Sequence, residues 1–179
     1  PVHSGPKTAC PHSLPSRRVM MPGDIVNVDV CAVYNRYHSD NARSFSIGEP
    51  HPEVAATIAK SAKSFSVLRD AAEPGVAVSK VTAALKAYYQ EVGLWGGQWW
   101  TGGYELGCAF PPDWVGPSSY DVELDPGDAV FEEGMVVNYE SDFYLPRGAG
   151  MSLLIDTLVF DNGKAELLHA FPHDLVVIE

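Results

Sequence analysis

Asp29 and Asp40 are the residues whose type and spacing most openly suggest chemistry. They stand eleven residues apart in two β-rich runs, DIVNVDVCAVY and YHSDNARSFSI, joined at Asn35-Arg36, which reads as a tight hairpin connection. With Tyr34 facing Tyr37 across that turn, Cys31 lies opposite Asp40 and Ala42 opposite Asp29. Strand alternation then points both carboxylates to one face as diagonal neighbours. Two acids that close raise each other's pKa unless a cation lies between them, so the pair implies a metal, a cationic substrate or a shared proton. A register slipped by one residue would part them to opposite faces, but Val26 would then lose Phe45 as its cross-strand partner.

The elements that must hold this hairpin in place follow it. From His51 to Ala72, apolar residues at Val54, Ile58, Ala62, Phe65, Leu68 and Ala72 keep the spacing of a helix face, which stops at Glu73-Pro74-Gly75. Val78, Val81, Leu85, Tyr88 and Val92 repeat the pattern up to Gly93. Beyond a stretch rich in Trp, Gly and Pro come short β-like runs at Met135 to Tyr139 and Ser152 to Phe160, a turn at Asp161-Asn162-Gly163 and a strand-like tail. Strands, two helices and more strands predict an α+β order, with helices on one side of an antiparallel sheet. No repeat, low-complexity tract or long linker divides the chain, so residues 1–179 read as a single domain.

Composition narrows the partners. Twelve Lys and Arg against 23 Asp and Glu give a formal charge of −11, which repels a phosphate backbone and offers no polybasic anchor. Nucleic acid and anionic membrane are excluded as expected partners, and cationic ligands fit better. Cys10, Cys31 and Cys108 form no CxxC pair and read as buried small hydrophobes of a reducing compartment. With no long apolar run and no leader pattern, a cytoplasmic location is expected. The chain opens on Pro1 without a Met, inside what reads as a structured segment, so a piece of a longer protein is also expected.

GDIVNVDVCAVYNRYHSDNARSFSIGEP closely resembles the metal-binding hairpin of methionine aminopeptidases, aminopeptidase P and prolidases, in which two Asp so spaced bind a pair of divalent metals. PHSLPSRRVMMPGD resembles the segment that brings a catalytic His beside that site, which implies His12 for the role. EEGMVVNYESDFY is similar to the family's EPGMVFTIEPGIY and implies Glu140 as a metal-binding Glu. The resemblance covers nearly the whole chain and implies the pita-bread fold, a curved antiparallel sheet with helices on its outer face. It also implies that the first helix pair, which would precede Pro1, is absent from this chain.

The departures weigh as much as the matches. Where the family has GHGIG, with a metal-binding His, this chain has Gly103-Tyr104-Glu105-Leu106-Gly107. Pro111 and Pro112 stand where peptidases place a second His, and the Glu of the family's EDT falls on Ile155, unless a one-residue gap gives Asp156 that place. Three carboxylate oxygens without imidazole suit at most a weakly held magnesium or manganese ion. Creatinase and ectoine hydrolase belong to the same family and resemble this case in lacking the full metal set. The favoured expectation is therefore a metal-independent C–N hydrolase for a small cationic substrate, with no cofactor. His12 would shuttle the proton, with Glu140 and Asp40 catalytic beside it and Asp29, Tyr37 and Tyr104 binding substrate. A metal-dependent Xaa-Pro peptidase or dipeptidase, holding a metal by Asp29, Asp40, Glu140 and Asp156, is the second reading. A non-catalytic binding module is the third. The missing helix pair further predicts an uncovered sheet face, to be closed by a second copy or by a chain that carries those helices.

Overall fold

The computed structural model describes residues 1–108 and 118–179. In chain order its elements are β1 (Val2–Ser4), β2 (Ile25–Tyr34), β3 (Tyr37–Ile47), α1 (Pro52–Ala71), α2 (Val78–Glu91), β4 (Gln98–Tyr104), β5 (Ser119–Asp121), β6 (Val136–Tyr144), β7 (Met151–Ser152), β8 (Ile155–Asp161), β9 (Lys164–Leu167) and β10 (Val176–Ile178). The strands form one sheet in the order β1-β2-β3-β8-β6-β4-β5, antiparallel throughout, with β7 on β6, β9 on β8 and β10 added parallel to β3. This is the pita-bread arrangement. No helix among the described residues is long and apolar enough to cross a membrane.

The β2–β3 register is the one the sequence predicts: Tyr34 pairs with Tyr37, Cys31 with Asp40, Asp29 with Ala42 and Val26 with Phe45. Asn35 and Arg36 take φ of 47° and 70°, the left-handed pair of a two-residue turn that matches the twist of the strands it joins. His51 caps α1 rather than entering it, its Nδ1 accepting from the Glu53 N–H at 3.3 Å, and Pro52 occupies the first turn where its missing N–H costs nothing. Gly75, at φ 86°, turns the chain after that helix.

Both helices pack against β6. The Val54, Ile58, Phe65 and Leu68 stripe of α1 and the Val81, Leu85 and Tyr89 stripe of α2 meet Tyr139, Phe143, Leu154 and Leu158 in the main core. Polar groups within this layer are satisfied internally: Ser61 Oγ donates to the Ser141 carbonyl at 2.8 Å, and the hydroxyls of Tyr89, Tyr139, Ser64 and Ser141 bond one another. β6 is thus fixed from behind by its odd-numbered residues, which leaves Asn138, Glu140 and Asp142 to face the other way.

Asp156 does not join them. No gap intervenes: Ile155 pairs with Glu140 across β6 and β8, so Asp156, one residue on, turns to the helix side. There it is fully buried and accepts from Arg43 Nη2 at 2.8 Å and from the Thr157 N–H at 2.8 Å, while His169 Nδ1 and His173 Nε2 stand 2.6 and 2.9 Å from its oxygens. Arg43 also donates to the carbonyls of Ile155, Phe171 and Pro172, which ties the C-terminal segment to the sheet. Asp156 is a structural anchor rather than a metal ligand. The cysteines correct a second expectation, since Cys10, Cys31 and Cys108 are all exposed as free thiols.

The Arg43–Asp156 pair is only 3 % and 0 % exposed, so removing one partner leaves an uncompensated buried charge. Arg43→Ala is expected to cost about 3–5 kcal/mol. Urea unfolding should show the midpoint falling without a change in slope, whereas a loss below about 1 kcal/mol would mean that the two imidazoles alone hold Asp156.

Candidate active site

Asp29 and Asp40, from the hairpin, and Glu140, from β6, converge on one cavity of about 340 Å³. Leu153 and Ile155 form its apolar side, Trp99, Trp100 and Tyr104 its aromatic side, and Pro11 and His12 stand at its rim. Trp100 is held by its indole N–H, which donates to Asp121 Oδ2 at 2.8 Å. His12 is exposed and close enough to Asp29 to favour that residue's ionised form.

Asp40 is 2 % exposed and richly bonded. Its Oδ2 accepts from the Tyr104 hydroxyl at 2.8 Å and from Asn138 Nδ2 at 3.0 Å, while the Cys31 thiol donates to Oδ1 at 3.4 Å. Asn138 Nδ2 also reaches Glu140 Oε1 at 2.9 Å, so one amide joins the two acids. The orientation of that amide is set from behind by the Tyr104 backbone N–H, which donates to Asn138 Oδ1 at 2.7 Å. β4 comes this close to β6 because position 103 is glycine; a Cβ there would lie 2.0 Å from the Asn138 carbonyl oxygen.

The acids are crowded and poorly hydrated. Burial, then repulsion from Asp40, pushes Asp29 up to about 6, and its Oδ1 is buried without a hydrogen-bond donor. The same two causes, in the same order, raise Glu140 to about 8, so it is largely neutral at pH 7. Asp142 lies next along the same face, fully buried and held well above the usual carboxylate range by burial and then by Glu140. Its Oδ1 accepts from the Leu154 N–H at 3.3 Å. Oδ2 meets no donor, and since Glu140 is its close neighbour, the two carboxyls can be joined only by a shared proton.

The structure brings His12, Asp29, Asp40, Tyr104 and Glu140, all singled out in the sequence, around one cavity. Tyr37 is the exception: it lies three residues from Asp40, an odd number, and strand alternation turns it from the cavity. It sits beside Gly107 and lines a separate shallow groove with Tyr34, Val159 and Leu168. Pro111 and Pro112 lie outside the described residues. Asn138, Asp142 and Cys31 were missed, although period-two spacing from Glu140 and Asp29 places all three on the cavity face.

Two metal ions do not fit these residues. Tyr104 offers no imidazole, Ile155 offers no oxygen, and the gap between Asp40 and Glu140 holds an N–H donor with its positive edge toward both acids. Among the described residues, the group with donor atoms close enough for a single ion is Asp29, Cys31 and Asp40, within 4.8 Å of one another. Burial, then Asp40 beside it, pushes the Cys31 thiol up to about 12 in the metal-free site.

Helices behind a pita-bread sheet and a carboxylate cluster on its other side define the architecture of an M24-type hydrolase domain. The model of metallopeptidase family M24 matches residues 1–162, and the chain belongs to this family. It is 31 % identical over 179 residues to the probable dipeptidase PepE of Mycobacterium tuberculosis, across 99 % of this chain and 45 % of that protein. It is 26 % identical over 166 residues to the Xaa-Pro dipeptidase of Pyrococcus furiosus, across 93 % and 46 %. The fold superposes on a dipeptidase of Pyrococcus horikoshii with a TM-score of 0.86 at 24 % identity, covering 99 % of this chain and 48 % of that one. The chain therefore spans somewhat less than half the length of these three relatives.

The raised pKa of Asp29 has a consequence for stability. Between about pH 4, where the unfolded carboxylate ionises, and about pH 6, where the folded one does, the folded state binds more protons, so stability falls as pH rises through that window. Asp29→Asn is expected to raise the melting temperature at pH 7 by a few degrees, with the gain fading toward pH 4. Melting curves across that range check it, and a variant less stable than wild type at pH 7 would contradict the unpaired state of this acid.

Proposed function

We propose that this chain supplies the active centre of a hydrolase that cleaves a C–N bond in a small cationic substrate without a metal ion. The observation that carries the reading is the Asn138 amide between Asp40 and Glu140, reinforced by the Tyr104 hydroxyl on Asp40. Neutral donors stand where a bridging cation would have to bind. The clustered acids Asp29, Asp40 and Glu140 favour a guanidine, amidine or amine, and the Trp99, Trp100 and Tyr104 wall favours its apolar part.

In this reaction water adds to the carbon of the C–N bond, and that bond breaks with the electron pair leaving on nitrogen. His12, at the rim, takes the proton from water and returns it to the departing nitrogen. Asp29 binds the cationic group, and Asp40 orients it with Tyr104. Glu140 shares its proton with Asp142 and so presents a largely neutral carboxyl to the reacting carbon, adding little repulsion where negative charge develops. A cytoplasmic setting suits such a substrate.

A dipeptidase is the second reading, and the names of the relatives favour it: PepE is a probable dipeptidase, and the Pyrococcus furiosus protein is an Xaa-Pro dipeptidase. Chelation separates the two. The metal-free reading expects turnover of guanidino or amidino compounds unchanged by EDTA, and a His12→Ala variant whose kcat falls by roughly a hundredfold to ten-thousandfold with KM little altered. Loss of Xaa-Pro dipeptide cleavage on chelation, restored by manganese, would establish the dipeptidase instead.

We also propose that the outer face of β1, β2 and β10 is an interface, closed by a second copy or by polypeptide carrying further helices. Val2, Val30 and Ile178 are 50 %, 55 % and 46 % exposed there and form an apolar group. Light scattering of the isolated chain should report a dimer or larger species. A monodisperse monomer with a cooperative melt would count against it.

A further inference from the structure

We infer that Asn138 is a positioning residue that stands in for a cation between Asp40 and Glu140, and that its side-chain amide keeps divalent ions out of the cavity. The inference rests on the metal-free reading of the site. Its basis is that the amide is saturated and immobile. Both hydrogens of Nδ2 are used, one on Asp40 Oδ2 at 3.0 Å and one on Glu140 Oε1 at 2.9 Å. Reversing the amide would set its carbonyl oxygen against two acids and its N–H₂ against the Tyr104 N–H, so one orientation is allowed.

The residue itself is held in place: Asn138 is fully buried, it sits in the β6–β8 ladder opposite Thr157, and its backbone carbonyl accepts from the Tyr120 hydroxyl at 3.0 Å. The Nδ2 hydrogens fill the space between Asp40 Oδ2 and Glu140 Oε1, which a divalent ion would need if it were to be held by these two oxygens. The amide therefore joins the acids by hydrogen bonds while adding no charge, and it holds them at a fixed separation. A neutral bridge also leaves the cluster's negative charge available to a cationic substrate. Tyr104 gives Asp40 a second neutral donor through its hydroxyl, and Tyr104→Phe therefore serves as the comparison for losing a donor on Asp40.

Manganese binding tests this through calorimetry and thermal shift on the wild type and on Asn138→Ala, Asn138→Ser and Tyr104→Phe. The asparagine replacements are neutral for neutral, so a gained affinity cannot come from added charge. Wild type and Tyr104→Phe should give no binding heat and no change in Tm with millimolar manganese. Asn138→Ala and Asn138→Ser should melt lower than wild type without metal, bind manganese at least about tenfold more tightly, and recover about 5 °C when the ion is in hundredfold excess over Kd. Folded asparagine variants with no response to manganese would overturn the inference and leave the metal-free reading standing. Stoichiometric manganese binding by the wild type would overturn both. If neither asparagine variant folds, NMR of the wild type decides: side-chain amide protons of Asn138 that exchange slowly and are not broadened by manganese support the inference, whereas fast exchange or broadening by one equivalent overturns it.

Discussion

Carboxylates brought together away from water repel one another and lose their hydration, and the site is organised around the neutral groups that offset this. Asp40 is met by an amide, a phenol and a thiol, Glu140 by the same amide, and Asp142 by a backbone N–H. None of these carries a charge. Arg43, the cation buried in the same hairpin, points the other way and is bound to Asp156. Each hydrogen bond to an ionised carboxylate contributes only about 1.5–3 kcal/mol net, too little to hold every acid ionised in a buried site. The balance is made up by protonation, which burial favours at Glu140 and at Asp142 beside it.

Strand alternation separates structural work from chemistry at single-residue resolution. Ala42 and Ile155 face the cavity side, while Arg43 and Asp156, one residue further along each strand, form the charged anchor on the helix side. Along β6, Tyr139, Ser141 and Phe143 bind the helices while Asn138, Glu140 and Asp142 face the site. Any displacement of β6 that loosened the helix layer would move Glu140 with it, so the position of the proton-bearing acid is set by packing on the opposite face.

Much of this was legible from residue order. The hairpin register followed from one turn and one hydrophobic pair, Val26 with Phe45, because a slip would have inverted every side chain. The helices followed from apolar spacing. What escaped had physical reasons: β4 hides in a Trp- and Gly-rich stretch because Gly102 and Gly103 make room for neighbouring strands, and glycine carries no periodic signal. Asn138 was readable in principle, two residues before Glu140 on a strand, but a lone asparagine gives no hint of its partners until β4 supplies the Tyr104 N–H. Tyr37 was misplaced by proximity to Asp40 in sequence, where parity should have decided. The His169–Asp156–His173 contacts join the C-terminal segment to β8 without any local pattern, and only the tertiary fold shows them.

The acids of the cavity therefore differ in what they leave open. Asp40 and Glu140 are joined to each other through Asn138, and Asp142 is sealed behind Glu140. Asp29 lines the cavity and, like Asp142, keeps one buried oxygen without a donor, while His12 at the rim favours its ionised form. In the metal-free reading, a ligand's positive charge sits beside Asp29 and lowers the cost of ionising it. Binding would then draw its strength from the acid the fold leaves unsatisfied, and leave the bridged pair in the geometry that Asn138 imposes.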